Sequence, residues 1–295
     1  MFKVEKLNLV NYDRLICDDS PSYSGIVAGE CNGDLWVDDI LNPGIALAYS
    51  YAAGAFSILG EPDNHKVYIH FTEFLEKDLF NYLKNKGIGY FEFSAESEKV
   101  RQFILNQFSY KGIQSEYEFS FRRNKRYERN IAAVPGYKIR KVDYDFIEEL
   151  ENGTYENKSF LTKRLLESWG TYNNFISKSY AYAAVFKNRI VSVIAGTARF
   201  KNIIPIDIET ENTHRRKGLA YVLIQHFVNE CVENGITAQW DCVDSNIASK
   251  AIVKKAGFDF LRKSTVYWIY NVENTAFYNL GCGSFIKSYK WSRKK

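Results

Sequence analysis

Apolar and polar positions along the chain change period repeatedly, from two to between three and four and back. In the first part, residues 35–40 (LWVDDI), 45–50 and 55–59 read as short strand-like pieces. Asn42-Pro43-Gly44 separates the first two, because Pro fixes φ and Gly tolerates positive φ. After a second turn at Gly60-Glu61-Pro62, residues 66–71 (KVYIHF) predict a strand. Residues 74–86 then place Phe74, Leu75, Leu79, Tyr82 and Leu83 on one helical face, and Gly87 follows in the helix-ending position. A strand at 90–93, a helix at 98–108 and a strand at 115–121 complete an alternating series. An α/β unit over residues 1–130 is expected.

A polar, basic connector ending in Pro135-Gly136 leads into a second series. It predicts a strand at 137–142, helices at 145–152 and 160–169, and a hairpin of 181–186 and 190–198 around Lys187-Asn188-Arg189. A strand at 203–210, a helix at 217–233 ending at Asn234-Gly235, a strand at 236–242, a helix at 249–256 and a closing strand at 265–270 follow. The second unit therefore spans 136–270, with a basic C-terminal extension at 271–295. The shared β-α rhythm of the two parts hints at a distant duplication.

Composition narrows the class. With 46% hydrophobic residues against 25% charged, the 295-residue chain has ample core and is not disordered. A net charge of +4 is too small to indicate a nucleic-acid partner, and the basic run FRRNKRYER (121–129) reads as a solvated connector. Five scattered cysteines in no C-x-x-C spacing give neither a zinc motif nor a disulfide framework, so no metal is expected. Charges interrupt the N-terminal segment MFKVEKLNLVNYDRL, so it does not read as a secretory signal. No run approaches the roughly 18 apolar residues of a membrane span. A cytoplasmic protein without membrane or nucleic-acid partners is expected.

The stretch that carries chemistry is IDIETENTHRRKGLA (206–220). A strand enters a tight loop, Arg215-Arg216-Lys217-Gly218-Leu219-Ala220, that opens a long amphipathic helix. The first turn of a helix presents unpaired N–H groups and partial positive charge, which suits a phosphate. Gly218 permits close backbone approach, and Arg215, Arg216 and Lys217 add positive charge. R-x-x-G-x-A alone is weak, and a basic helix start after a Gly turn explains it equally well.

The stretch is followed by a strand, then Asn246-Ile247-Ala248-Ser249 opening a short helix, then K-A-G-F (255–258) and a closing strand. This ordered series resembles the GNAT acetyltransferase superfamily over residues 137–270. Trp169-Gly170 and WVDDILNPGIALAYS (36–50) extend the resemblance to the two-part GNAT family that includes zwittermicin A resistance-type acetyltransferases. The resemblance implies a mixed, partly splayed sheet flanked by helices, preceded by a degenerate GNAT-like α/β N-terminal domain.

It also implies a function: transfer of an acetyl group from acetyl-CoA to a primary amine of a small molecule, by direct attack in a ternary complex. On this resemblance Ile208 and Thr210 contribute to holding the acetyl and pantetheine groups, and Arg215, Arg216, Lys217, Gly218, Leu219 and Ala220 the pyrophosphate. Asn246 and Ser249 flank the pantetheine, although Asn246 equally suits a helix N-cap. A typical alkylammonium, of pKa about 10, must lose a proton before it attacks. Asp207 and Glu209 share one face of their strand, and Glu209, nearer the splay, is the favoured base; both also read as merely exposed strand carboxylates.

Two positions depart from the family pattern. Pro205 stands where many relatives carry a catalytic Glu, and Val253 where many carry a Tyr acid. Tyr221, Cys242 and Tyr267 are substitutes with equally good packing roles, and His214 could line the loop. The departures leave a second function open: a catalytically degenerate GNAT that binds acyl-CoA or serves as an interaction module. Monomer and homodimer are both compatible with the sequence.

Overall fold

Pairing between strands far apart in the chain dominates the computed structural model, which describes residues 1–5, 11–128 and 130–270. The first part contains β1 (Phe2–Lys3), α1 (Pro21–Val27), β2 (Gly33–Val37), β3 (Ile45–Ser50), β4 (Ala55–Gly60), α2 (His65–Phe74), α3 (Phe80–Asn85), β5 (Tyr90–Ala95), α4 (Glu98–Gln107) and β6 (Gln114–Arg123). The second contains β7 (Lys138–Lys141), α5 (Tyr144–Glu151), α6 (Ser159–Trp169), α7 (Tyr172–Lys178), β8 (Ala181–Phe186), β9 (Arg189–Gly196), β10 (Ile203–Thr210), α8 (Leu219–Glu233), β11 (Thr237–Val243), α9 (Ile247–Lys255) and β12 (Asp259–Tyr270). The expected extension at 271–295 lies outside the described residues.

Most predicted elements form within a few residues of their expected bounds. Residues 66–71, expected as a strand, are instead helical. Asn64 Oδ1 caps α2 by accepting from Lys66 N–H at 2.9 Å. The buried positions Tyr68, Phe71, Thr72 and Phe74 follow a helical spacing, which overrides the apparent alternation of KVYIHF. A π-helical turn, Leu75–Leu79, carries the helix into α3. Helices α1 and α7 had no counterpart in the sequence reading.

All twelve strands among the described residues join one sheet, in the order β1-β2-β3-β4-β5-β12-β6-β11-β10-β9-β8-β7. The two parts of the chain exchange strands at its centre. β6, from the first part, lies antiparallel between β11 and β12, from Ala238↔Arg123 to Val243↔Glu118 on one side and from Asp259↔Arg122 to Trp268↔Gln114 on the other. β12, from the second part, reaches β5 of the first through Tyr267↔Phe93. The two stretches 1–130 and 136–270 therefore share one sheet.

Three apolar clusters hold helices on its faces. Trp36, Leu47, Phe56, Phe91 and Phe93 pack with Phe71, Leu75 and Ile104 of α2–α4 and the turn that joins them. Ile204, Ala238 and Trp240 pack with Leu223, Phe227 and Val253 of α8 and α9. A third cluster joins the outer strands of both parts, through Val37, Ala46, Val193 and Ala195, to Ile26 of α1 and Phe146, Leu165 and Phe175 of α5–α7. On that third side the middle strands β5, β12, β6 and β11 form the floor of a cleft. α1 closes against its edge: a Cβ on Gly25 would sit 2.2 Å from Arg199 O, so only glycine permits this backbone approach.

The exchange predicts mutual dependence. Residues 130–295 expressed alone lack β6 and leave β11 and β12 with unpaired edges, a liability for solubility. That segment should show no cooperative thermal unfolding by circular dichroism, and co-expression with residues 1–129 should restore it. A sharp melt of the isolated segment would mean that β6 is dispensable.

Candidate active site

The opening between β10 and β11 follows from their register. The two strands pair in parallel only through Ile203↔Thr237, Ile204↔Ala238 and Pro205↔Gln239. Beyond that point β10 stays with β9 as far as Thr210↔Ser192, and β11 stays with β6 as far as Val243↔Glu118. The strands thus splay from Pro205 and Gln239 onward. Thr197 N–H donates to Pro205 C=O and Glu211 N–H to Val191 C=O, so alternate main-chain groups of β10 face β9. Those of Ile206, Ile208 and Thr210 face the gap, since successive residues of a strand point their N–H and C=O to opposite edges.

α8 begins at the end of this gap. Gly218 (φ +84) precedes it, and the first helical bond runs from Val222 N–H to Gly218 C=O. The N–H groups of Leu219, Ala220 and Tyr221 come before that ladder, in the orphan positions of a helix start. A Cβ on Gly218 would meet nothing within 4 Å, so the turn is held open by dihedral preference and faces free space. Arg216 also takes a positive φ, +59, which tightens the loop. Leu219, Val222, Leu223, Phe227 and Val228 are buried along the inner face of α8 and anchor it.

The gap and the loop open into one cleft of ≈ 1780 Å³, lined by Ile208, Thr210, Arg215, Arg216, Gly218, Leu219, Ala220, Asn246 and Ser249 among others. Arg215 Nε donates to Thr210 C=O at 3.0 Å, which folds the loop back on β10. Lys217 is absent from the lining: its ammonium donates to the Tyr137 hydroxyl at 3.0 Å, and that hydroxyl also meets His214 Nδ1 at 2.8 Å. Asn246 caps α9 by accepting from Ser249 N–H at 3.2 Å, and Ser249 Oγ accepts from Trp240 Nε1–H at 2.7 Å.

Asp207 and Glu209 line the same cleft, but neither is a solitary carboxylate. Arg164 of α6, only 10% exposed, donates through Nε to Asp207 at 2.7 Å and through Nη2 to Glu209. Burial by itself would lower the guanidinium pKa, yet the two carboxylates outweigh it and hold it above its ordinary value. Sequence spacing gave no hint of Arg164, forty-three residues from Asp207.

Asp241, on β11, was also missed. It lies across the splay from Asp207, two residues beyond Pro205↔Gln239 if the register is continued, and accepts from Gln239 Nε2 at 3.1 Å. Burial raises its pKa, partly offset by hydrogen bonds from Ser120 and Gln239 and by Arg262 and Arg122. Its strand position carried no motif, so only the fold reveals it. Val253 and the substitutes expected for a missing acid, Cys242, Tyr267 and Tyr221, are placed as follows. Val253 is fully buried. Cys242 borders the cleft with its thiol pKa pushed up by burial. Tyr267 stacks on Phe93, centroids 5.5 Å apart, on the opposite face. Tyr221 lines the cleft beneath the ammonium of Lys255.

A mixed sheet that splays beside a glycine-led helix start is the architecture of an acyltransferase. The chain belongs to the GNAT acetyltransferase family, whose profile matches residues 19–267. It is 29% identical over 144 residues, 49% of its length, to the uncharacterized N-acetyltransferase YdfB of Bacillus subtilis (strain 168). That match spans 52% of the relative, about half its length. The fold is shared with a GCN5-related N-acetyltransferase-like protein of Streptococcus suis 89/1591, at TM-score 0.56 and 17% identity over 80% of this chain and 87% of that one. It is also shared with a tandem GNAT protein from the clavulanic acid biosynthesis pathway, at TM-score 0.53 and 11% identity over 83% and 85%. The two-part GNAT-like architecture is therefore established for this chain.

Gly218→Val tests the loop. A β-branched residue at φ +84 is strained and would project into the open space beside the leading N–H groups. Acetyl-CoA binding should weaken by tenfold or more, about 1.4 kcal/mol, while cooperative unfolding persists. The measurement is the acetyl-CoA-induced rise in melting temperature, with Arg215→Ala expected to act more mildly. Equal shifts for wild type and Gly218→Val would reduce the loop to a helix start.

Proposed function

We propose that this protein is an N-acetyltransferase that uses acetyl-CoA to acetylate a primary amine of a small molecule, both substrates being bound together. The observation that carries this reading is the splay after Pro205, which ends at the Gly218 helix start within one cleft. The residues fit the co-substrate: leading N–H groups and Arg215 and Arg216 meet a pyrophosphate, and the edge groups of β10 meet the pantetheine amides. Lys217, turned toward Tyr137, contributes charge at longer range. Acetyl-CoA supplies an activated thioester, whose carbon–sulfur bond breaks as the amine nitrogen bonds to the acetyl carbon.

The protein's own task is to remove a proton from the amine and to polarise the carbonyl. Main-chain N–H groups of Ile206 and Ile208 face the gap where that carbonyl would lie. For the proton, three carboxylates border the splay. Asp207 and Glu209 are both held by the buried Arg164, which ties them to α6. Asp241 has a pKa raised by burial, so it accepts a proton more readily. Asp241 is therefore assigned as the base, with Glu209, the candidate favoured on sequence, second. The departing thiol has a pKa of about 8.5 and leaves without a dedicated acid, consistent with Val253 in the core.

A second reading has support in the same Val253 and the Arg164 clamp: an acyl-CoA-binding module without turnover. Thiol release from acetyl-CoA against a panel of amines separates the two. Asp241→Asn should lower kcat by about 10²-fold or more with acetyl-CoA binding retained. In wild type, kcat/KM should fall as pH drops through a pKa above the ordinary carboxylate range, because the base works deprotonated; Asp241→Asn should abolish that limb. If Glu209→Gln removes the limb and Asp241→Asn does not, Glu209 is the base. Acetyl-CoA binding without turnover of any amine would favour the module.

A further inference from the structure

We propose that Gln239 is a positioning residue for Asp241: its amide, oriented by Arg122, holds that carboxylate at the apex of the splay and joins it to the lead-in of α1. The catalytic side of this inference rests on Asp241 as the base of the proposed acetyl transfer, whereas the hydrogen-bonded chain stands on geometry. Register brings its members together. Gln239 is the last residue of β11 paired with β10, through Pro205, and it lies directly opposite Arg122 of β6. Asp241 follows two residues later on the same face of β11, opposite Ser120.

Gln239 is 1% exposed, so the polar atoms of its amide need partners inside the protein. Oε1 accepts from Arg122 Nε–H at 2.9 Å. Nε2 donates to Asp19 C=O at 3.0 Å and to the two Asp241 oxygens at 3.1 and 3.2 Å. A guanidinium only donates, while a main-chain carbonyl and a carboxylate only accept. The amide therefore has one workable orientation. Turned over, it would set its oxygen against acceptors and its N–H groups against a cation. A neutral side chain that does not titrate thus delivers an N–H to the carboxylate.

Arg122 completes the clamp from outside the cleft lining. Its Nη2 donates to Asp18 C=O at 2.6 Å and pairs with the Asp19 carboxylate at 3.4 Å. Arg122 and Gln239 thereby hold two successive carbonyls ahead of α1, the helix whose Tyr23 borders the cleft. One amide fixes that lead-in and Asp241 relative to each other.

A hydrogen bond donated to a carboxylate favours its charged form, which opposes the rise that burial causes at Asp241. Facing Asp241 are also Glu118 of β6, Arg262 of β12, Tyr23 of α1, Asp207 across the splay and the adjacent Cys242. These groups are common to every variant below, so a change in titration reports Gln239 and Arg122.

Titration of Asp241 in the full chain reads the contact without any substrate. It is followed by the NMR shift of the carboxyl carbons in aspartate-labelled protein, assigned by the signal lost in Asp241→Asn. Gln239→Met nearly keeps the volume and deletes the donor, so the midpoint should rise by about one pH unit. Gln239→Glu keeps an acceptor for Arg122 but adds a like charge, and should raise the midpoint further. The acid limb of kcat/KM, for the amine of the panel turned over fastest, should move up with it. Below that limb Gln239→Met should lose about tenfold, while the plateau at higher pH is kept. Arg122→Met should raise the midpoint less in the Gln239→Met background than in wild type, because part of its effect passes through the amide. A merely structural Gln239 would lower the melting temperature or the plateau and leave the midpoint in place. An unchanged midpoint in a cooperatively melting Gln239→Met overturns the proposal, and equal increments for Arg122→Met in both backgrounds overturn the orienting role of Arg122. If Gln239→Met does not melt cooperatively, the isosteric Gln239→Glu decides by the same titration. A midpoint that rises without movement of the limb, or without turnover of any amine, supports the hold of Gln239 on Asp241 and sinks Asp241 as the base.

Discussion

The insertion of β6 between β11 and β12 is the constraint on which the molecule depends. Backbone N–H and C=O groups at a sheet edge need partners. β6 supplies them to β11 on one side and β12 on the other, and β12 in turn reaches β5. A chain built from two similar α/β series thereby closes into one twelve-stranded sheet. The helices cover the outer strands, and the middle of one face is left as a cleft.

That placement accounts for the chemistry of the cleft. β6 alternates Glu116, Glu118 and Ser120 with Tyr117, Phe119 and Phe121, a strand with one polar and one aromatic face. Phe121 packs beside Trp240 and Phe258 in the core under α8 and α9. The polar side meets the cleft instead of open solvent, so carboxylates from the first part of the chain stand beside Asp241 of the second. The lead-in to α1 is fastened to β11 and to the turn before β10, with Gln239 Nε2 donating to Asp19 C=O at 3.0 Å and Lys201 pairing with Asp18 at 2.8 Å.

Arg164 changes what the strand IDIET means. Two carboxylates two residues apart suggested a base with a spare partner. A buried guanidinium needs compensation for its desolvation, and both carboxylates provide it. Asp241, with burial raising its pKa and no guanidinium bonded to its carboxylate among the described residues, has the properties that proton removal requires.

The elements most legible along the chain were those set by local physics. The hairpin around Lys187-Asn188, the α8 start at Gly218 and the Asn246 cap depend on residues within a few positions of one another, through φ, propensity and capping. Residues 66–71 misled because six residues of alternation fit either period, and the Asn64 cap was the local signal that could have arbitrated. The partners of β6, the Arg164 clamp and the Arg122–Gln239 pair could not be read this way. Each joins positions tens to more than a hundred residues apart, and such contacts are chosen by which edges and charges remain unsatisfied once the strands have formed.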